Sequence, residues 1–149
     1  MRRGRSEASG AVTVHVRPAS RQDIDAIARI QRASPAAAQW RPEDYLYYTC
    51  LVAVLGNEVA GFAVLRGAGD EHELLNLAVA PEHRRRGIGR RLVAAALETA
   101  AGPVYLEVRA SNQAARRLYE TCGFRPVGIR ENYYRNPDEP AIVMRFQSC

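Results

Sequence analysis

A strand that runs into an arginine- and glycine-rich turn at the start of a helix narrows most sharply what this chain can fold into. Residues 74–91 read LLNLAVAPEHRRRGIGRR. Strict alternation puts Leu75, Leu77 and Val79 on one strand face and Leu74, Asn76 and Ala78 on the other. Pro81 ends the strand. Arg84, Arg85 and Arg86 follow, and Gly87-Ile88-Gly89 then opens a helical pattern carried by Ile88, Leu92, Ala95, Ala96 and Thr99. The first N–H groups of a helix have no partner within it, and the helix dipole adds partial positive charge there. Glycine lets a bulky anion approach the main chain, and arginine supplies fixed charge. Such a turn suits a phosphate or a pyrophosphate.

The chain has 149 residues, enough for one domain with a real core. Residues 1–10 (MRRGRSEASG) are basic with no apolar stretch after them, so they read as a disordered tail before a domain over residues 11–149. No apolar run is long enough to span a membrane. All 21 basic residues are arginine, and the net charge is +5. That balance favours anionic partners, phosphorylated cofactors among them. Cys50, Cys122 and Cys149 leave one over from any disulfide pair and lack metal-ligand spacing. His15, His72 and His83 are equally scattered. The expectation is a cytoplasmic protein without a metal, monomeric or weakly dimeric, that binds neither membrane nor nucleic acid directly.

Val12, Val14 and Val16 alternate with polar residues as a half-buried strand closed by Pro18. Ser20 is placed to cap a helix with Ile24, Ile27, Ala28 and Gln31 along one side. Residues 34–42 read as loop, and 43–49 as a short helix. Gly56-Asn57 between apolar runs 51–55 and 59–65 predicts a β-hairpin. After the helix that starts at Gly87, Gly102-Pro103 breaks the chain. The segment 104–109 then alternates, with Tyr105, Glu107 and Arg109 opposite Val104, Leu106 and Val108. Ser111 or Asn112 caps a helix with Ala115, Leu118, Tyr119 and Cys122 on one face, and Gly123 stops it. Strands over 124–129 and 141–146 finish the chain, joined by a polar loop that holds Tyr133, Tyr134, Pro137 and Pro140. The order is β-α-α-β-β-β-α-β-α-β-β, a mixed α/β fold.

Two nucleotide readings weaken on the residues themselves. Gly87 and Gly89 fit the first half of a dinucleotide fingerprint, but Leu92 takes the third glycine position and PEHRRR separates the turn from its strand. A Walker loop needs a lysine, and the chain has none. On pattern alone Glu107 is a surface strand residue paired with an arginine, and Tyr119 is core.

Arg84-Arg85-Arg86-Gly87-Ile88-Gly89 matches the acetyl-CoA signature Gln/Arg-x-x-Gly-x-Gly/Ala of the GNAT superfamily of N-acetyltransferases. With LLNLAV before it, and LEVRASNQAARRLYETCGF and IRENYYRN after it, residues 74–146 resemble the bacterial ribosomal-protein alanine N-acetyltransferases, the RimI group. The loop RNPDEP is shorter than in that group, and Pro140 stands where an acidic residue is usual. The resemblance implies a GNAT fold: a twisted, mostly antiparallel sheet of about seven strands, with a central parallel pair splayed between 74–79 and 104–109, flanked by about four helices.

The resemblance also implies the site. The backbone of Leu77, Ala78 and Val79 would pair with the pantetheine arm of acetyl-CoA, and Arg85, Arg86, Gly87, Ile88, Gly89 and Arg90 would hold its pyrophosphate. Asn112 would contact the cosubstrate, Glu107 would accept a proton, Tyr119 would donate one, and Tyr133 and Tyr134 would line the peptide entrance. A carboxylate ordinarily titrates roughly 3.5 units below an α-amine, about 5 kcal/mol uphill for proton transfer. Such a base must work by desolvation, through water, or by stabilising the developing ammonium. Arg109, on the same strand face, is the expected cation beside it. The implied reaction is acetyl transfer to a primary amine, foremost the N-terminal α-amine of a protein such as a ribosomal protein. A small-molecule amine or a lysine is the nearest alternative; a non-catalytic CoA-sensing or ribosome-docking module is the other.

Overall fold

The computed structural model of the chain describes residues 13–135 and 137–147. The expected tail, Val12 and Cys149 lie outside them. Strands β1 (Val14–Pro18), β2 (Thr49–Leu55), β3 (Glu58–Ala68), β4 (Glu71–Val79), β5 (Val104–Arg109), β6 (Arg125–Tyr134) and β7 (Glu139–Phe146) form one sheet, in the order β1-β2-β3-β4-β5-β7-β6. Every pairing is antiparallel except β4 with β5. The α-helices are α1 (Ile24–Arg32), α2 (Ile88–Thr99) and α3 (Gln113–Thr121). The short helix expected over 43–49 is a 3-10 helix at Pro42–Tyr47, with proline in its first turn.

The central strands are apolar on both faces because helices cover both. In β2, Leu51 and Ala53 join one core while Cys50, Val52 and Val54 join the other. α1 closes the second core with Ile27 and Ile30; α2 closes the first with Ile88, Leu92, Val93 and Ala96. Each such leucine or isoleucine, fully buried, contributes roughly 1.5–3 kcal/mol. The helix starts are chemically specified. Asp23 is buried just before α1, where its carboxylate accepts from the Ser20 N–H at 2.8 Å and from Arg17 at 2.8 and 3.0 Å. Of the two residues expected to cap α3, Asn112 does so, through its side-chain oxygen on the Ala115 N–H.

Strand β4 breaks the alternation expected of it. Val64 of β3 pairs with Asn76 but Leu65 pairs with Leu74, so Leu75 is an unmatched, bulged residue. Leu74 therefore shares a core with Leu77 and Val79, while Leu75 packs against the opposite one. The bulge bends β4 where it leaves β5: the two strands pair only at His72↔Val104 and Glu73↔Tyr105. Beyond those rungs they diverge, and the expected splay between 74–79 and 104–109 is the result.

The last hairpin also departs from expectation. Tyr133 and Tyr134 belong to β6 rather than to a loop, and β7 already begins at Glu139. The register shifts between Arg130↔Ala141 and Tyr134↔Glu139, and Asn132 takes a left-handed φ of 54°. This second bulge carries the tyrosines over β5.

Candidate active site

A cleft of about 1150 Å³ opens at the splay. It is bounded by β4, the 34–40 segment, the start of α2, β5, α3 and the end of β6. Of the residues proposed from the sequence, Leu77, Ala78, Val79, Arg85, Gly87, Ile88, Gly89, Arg90, Glu107, Asn112, Tyr119, Tyr133 and Tyr134 all line it. Arg86 does not. It is exposed beside the turn and outside the cleft lining.

The turn into α2 is built for an anion. Arg85 and Gly87 both take left-handed φ angles, 66° and 78°. Gly87 is the N-cap, has no side chain to satisfy the first N–H groups, and no acidic residue stands in the first turn. A Cβ at Gly87 would meet nothing within 4 Å. The helix start therefore presents bare donors to open space, with Arg85 and Arg90 beside them. Gly89 answers a different demand: a Cβ there would lie 3.1 Å from the Leu118 side chain. It is small so that α2 can pack closely on α3.

The triple arginine divides its labour. The Arg84 guanidinium donates to the Val79 carbonyl at 3.1 Å and to Ser34 Oγ at 3.2 Å, tying the end of β4 to the 34–40 segment. That matters for the β4 edge. Ala80 N–H bonds to Ala60 O of β3, so by antiparallel alternation Leu77 and Val79 turn their N–H and C=O away from β3, toward the splay. The Leu77 N–H is taken by Asn76 Oδ1 at 3.0 Å and the Val79 carbonyl by Arg84. Among the described residues the Leu77 carbonyl and the Val79 N–H remain for a guest, a smaller set than three whole residues.

Asn76 itself sits in an apolar strand and is 7% exposed. Its amide nitrogen donates to Ala38 O at 3.0 Å and Tyr45 Oη at 2.9 Å, and its oxygen accepts from Ala38 N–H at 3.2 Å. Tyr45 Oη donates to Gln31 Oε1, and Gln31 Nε2 donates to Trp40 O at 2.6 Å. Gln39 Nε2 donates to the Gln31, Ser34 and Ala37 carbonyls. A buried neutral network thus clamps the 34–40 segment onto β4 as one wall of the cleft. A polar residue inside an apolar strand was the signal in the sequence, but its partners lie up to 45 residues away.

The opposite wall carries the titratable groups. Glu107 is 13% exposed at its side chain, and its Oε2 accepts from Arg130 Nη1 at 2.6 Å. The cation beside Glu107 is therefore Arg130 of β6 and not Arg109. Arg109 donates to Arg135 O at 2.8 Å, Pro137 O at 3.1 Å and Glu139 Oε2 at 3.1 Å, and lies over the Tyr134 ring at 4.5 Å. Tyr134 Oη donates to the Glu107 carbonyl at 3.1 Å, and burial pushes its phenol up to about 12. Tyr133 meets Tyr134 edge-on, its centroid 5.0 Å away.

Tyr119 is 7% exposed and packs edge-on against Phe124. Both the core role and a place in the cleft hold for it. Burial first, then the neighbouring Tyr134 and Cys122, raise its phenol well above the ordinary value of 10. It keeps its proton throughout the neutral range, as a donor must.

His83, also at the cleft margin, pairs through Nε2 with the Glu58 carboxylate at 3.2 Å. With Glu82 these form a trio of ligand-type atoms within 4.8 Å of one another, which their scattered sequence positions do not suggest. Glu58 and Glu82 are exposed, and the trio reads as a His83–Glu58 hydrogen bond with an acidic neighbour.

Known proteins share this architecture. Residues 18–124 match the acetyltransferase (GNAT) family. The [ribosomal protein bS18]-alanine N-acetyltransferase of Escherichia coli K12 is 42% identical over 93 residues, which is 58% of this chain and 63% of that protein. The alignment thus spans somewhat under two thirds of that relative's length. The crystal structure of the ribosomal-protein-S18-alanine N-acetyltransferase from Escherichia coli superposes with a TM-score of 0.77 at 30% identity, covering 91% of this chain and 94% of that one. Ard1 from Thermoplasma volcanium gives 0.84 at 28% identity, over 93% and 99%.

Proposed function

The chain belongs to the acetyltransferase (GNAT) family, and from that premise we propose that it transfers the acetyl group of acetyl-CoA to the N-terminal α-amine of a protein. An alanine or similarly small first residue is the acceptor of choice, a ribosomal protein the natural partner, and the cytoplasm the place of action. One observation carries the reading. Bare N–H donors at the start of α2, an open β4 edge, a nearly buried carboxylate and a protonated phenol all face one cleft.

Acetyl-CoA supplies an activated acetyl thioester. The α2 start and Arg85 and Arg90 hold its diphosphate, and the Leu77 carbonyl and Val79 N–H align its pantetheine arm. Glu107 takes the proton that the amine loses as its nitrogen bonds to the acetyl carbon, directly or through one water. Tyr119 gives its proton to the departing sulfur. Tyr133 and Tyr134 border the path by which the peptide reaches Glu107. An α-amine suits this base better than a lysine does, because its reference value near ~7.7–8.0 leaves a usable neutral fraction at pH 7, against ~10.4 for lysine.

The test is a panel of acceptor peptides incubated with acetyl-CoA, the product located by mass spectrometry. Acetylation at the α-amine is expected, and acetylation at lysine alone would overturn the acceptor. Glu107→Gln and Tyr119→Phe should each lower kcat by roughly 10²–10⁴-fold while acetyl-CoA still binds. Binding of acetyl-CoA with no acetylation across the panel would leave a sensor in place of an enzyme.

A further inference from the structure

Resting on that reading of Glu107, we propose that Arg130 is the positioning residue of the proton-transfer site: it fixes the Glu107 carboxylate through Oε2 and so sets how that carboxylate meets the acceptor amine. Glu107 is the residue that needs such help. Its side chain is only 13% exposed, and a carboxylate so withdrawn from water requires a compensating charge. Arg109, its neighbour along β5, is committed to Glu139 and to the carbonyls of Arg135 and Pro137.

Register makes Arg130 available. Glu107 pairs with Val143 of β7, which pairs with Gly128 of β6; Arg109 pairs with Ala141, which pairs with Arg130. Arg130 thus starts two strands away and two rungs along, and its long side chain spans β7 to reach Glu107. The guanidinium carbon also lies 4.5 Å from the centre of the Tyr133 ring. A planar, delocalised cation can hold a carboxylate at its edge and a ring against its face at once. The main chain is fixed too, because Tyr134 Oη donates to the Glu107 carbonyl. Base, arginine and the tyrosines at the acceptor rim therefore form one mechanical unit. A general base must stand within about 2.6–3.2 Å of its proton, and an error near 1 Å costs on the order of 100-fold.

The experiment is a kinetic cycle on the full chain with acetyl-CoA and the best acceptor peptide. Arg130→Ala should lower kcat by about 10–100-fold, with the acceptor KM within about 3-fold of the parent and the Kd for acetyl-CoA unchanged. Arg130→Lys should recover part of the loss, since an ammonium can reach one carboxylate oxygen but cannot lie flat on Tyr133. Added to Glu107→Gln, Arg130→Ala should cost nothing more, because both act through one carboxylate. Multiplying losses, or a kcat loss matched by lost acetyl-CoA affinity, would show a merely structural arginine. If Glu107→Gln disables the enzyme and Arg130→Ala leaves kcat intact, the positioning role alone falls. If Glu107→Gln changes nothing, the assignment of the base falls first.

Discussion

On the β4 side of the cleft the holding groups, Arg84 at the end of the strand apart, are buried and neutral: Asn76, Gln31 and Tyr45 bond to one another and to the main chain of the 34–40 segment. On the β5 side they are charged and nearer water: Arg130 on Glu107, Arg109 on Glu139, each arginine stacked on a tyrosine. Neutral hydrogen bonds out of solvent are insensitive to salt and strongly coupled, because each lost partner strands a buried donor or acceptor. Ion pairs that reach solvent at one end respond to salt and pH. The β4 wall is therefore the one indifferent to salt, suited to a cosubstrate that is always the same. The β5 wall with the end of the last hairpin is the one that responds to salt and pH, and it borders the path of the peptide.

The largest effect that can break this contrast is at Asn76. Asn76→Ala strands the Ala38 and Leu77 N–H groups and the Ala38 carbonyl, and removes the bond that the Tyr45 hydroxyl accepts. A loss of about 3 kcal/mol is expected, read as a lower urea midpoint at unchanged slope. A loss below about 1 kcal/mol would mean that other contacts hold that wall.

Arg109→Ala is the matching change opposite. It should cost less, about 1–2 kcal/mol, and act locally. Amide exchange should quicken around residues 134–141 while β2 and β3 keep their protection. A uniform loss of protection would show that the hairpin end is no separate unit.

The smallest effect sharpens the picture through pH. The Ser111 N–H first, then its hydroxyl and Arg109, hold the Glu139 carboxyl below its ordinary 4.5. A group depressed in the folded state contributes stability above its unfolded value. That contribution is lost as pH falls through the lower folded value. The Ser111 amide resonance should accordingly titrate with a midpoint below 4.5 and move upward as salt screens Arg109. A midpoint at or above 4.5 would detach Glu139 from its partners.

Much of the fold was legible because it rests on neighbours in sequence. The Gly56-Asn57 hairpin turn, Asn112 as a cap and the left-handed Gly123 that stops α3 each follow from a few adjacent residues. Two of the misreadings share one cause. The bulge at Leu75 inverted the facing of Leu74 and Leu75, and the bulge at 131–133 drew Tyr133 and Tyr134 into a strand. A bulge is a property of two paired strands, and alternation within one strand cannot reveal it. Arg109 was the expected partner of Glu107 because it was near along the strand, whereas Arg130 is near across it.

The amino-acid sequence by itself determined which segments are strands or helices and where an anion-seeking turn lies. Those outcomes depend on periodicity, caps and turn residues acting over a few positions. Tertiary structure alone decided which side chains meet: that Asn76 clamps the 34–40 segment, that Gly89 is small for the sake of Leu118, and that Arg130 holds Glu107. Those contacts are set by strand order, register and packing distance, which bring together residues whose separation along the chain carries no local signal.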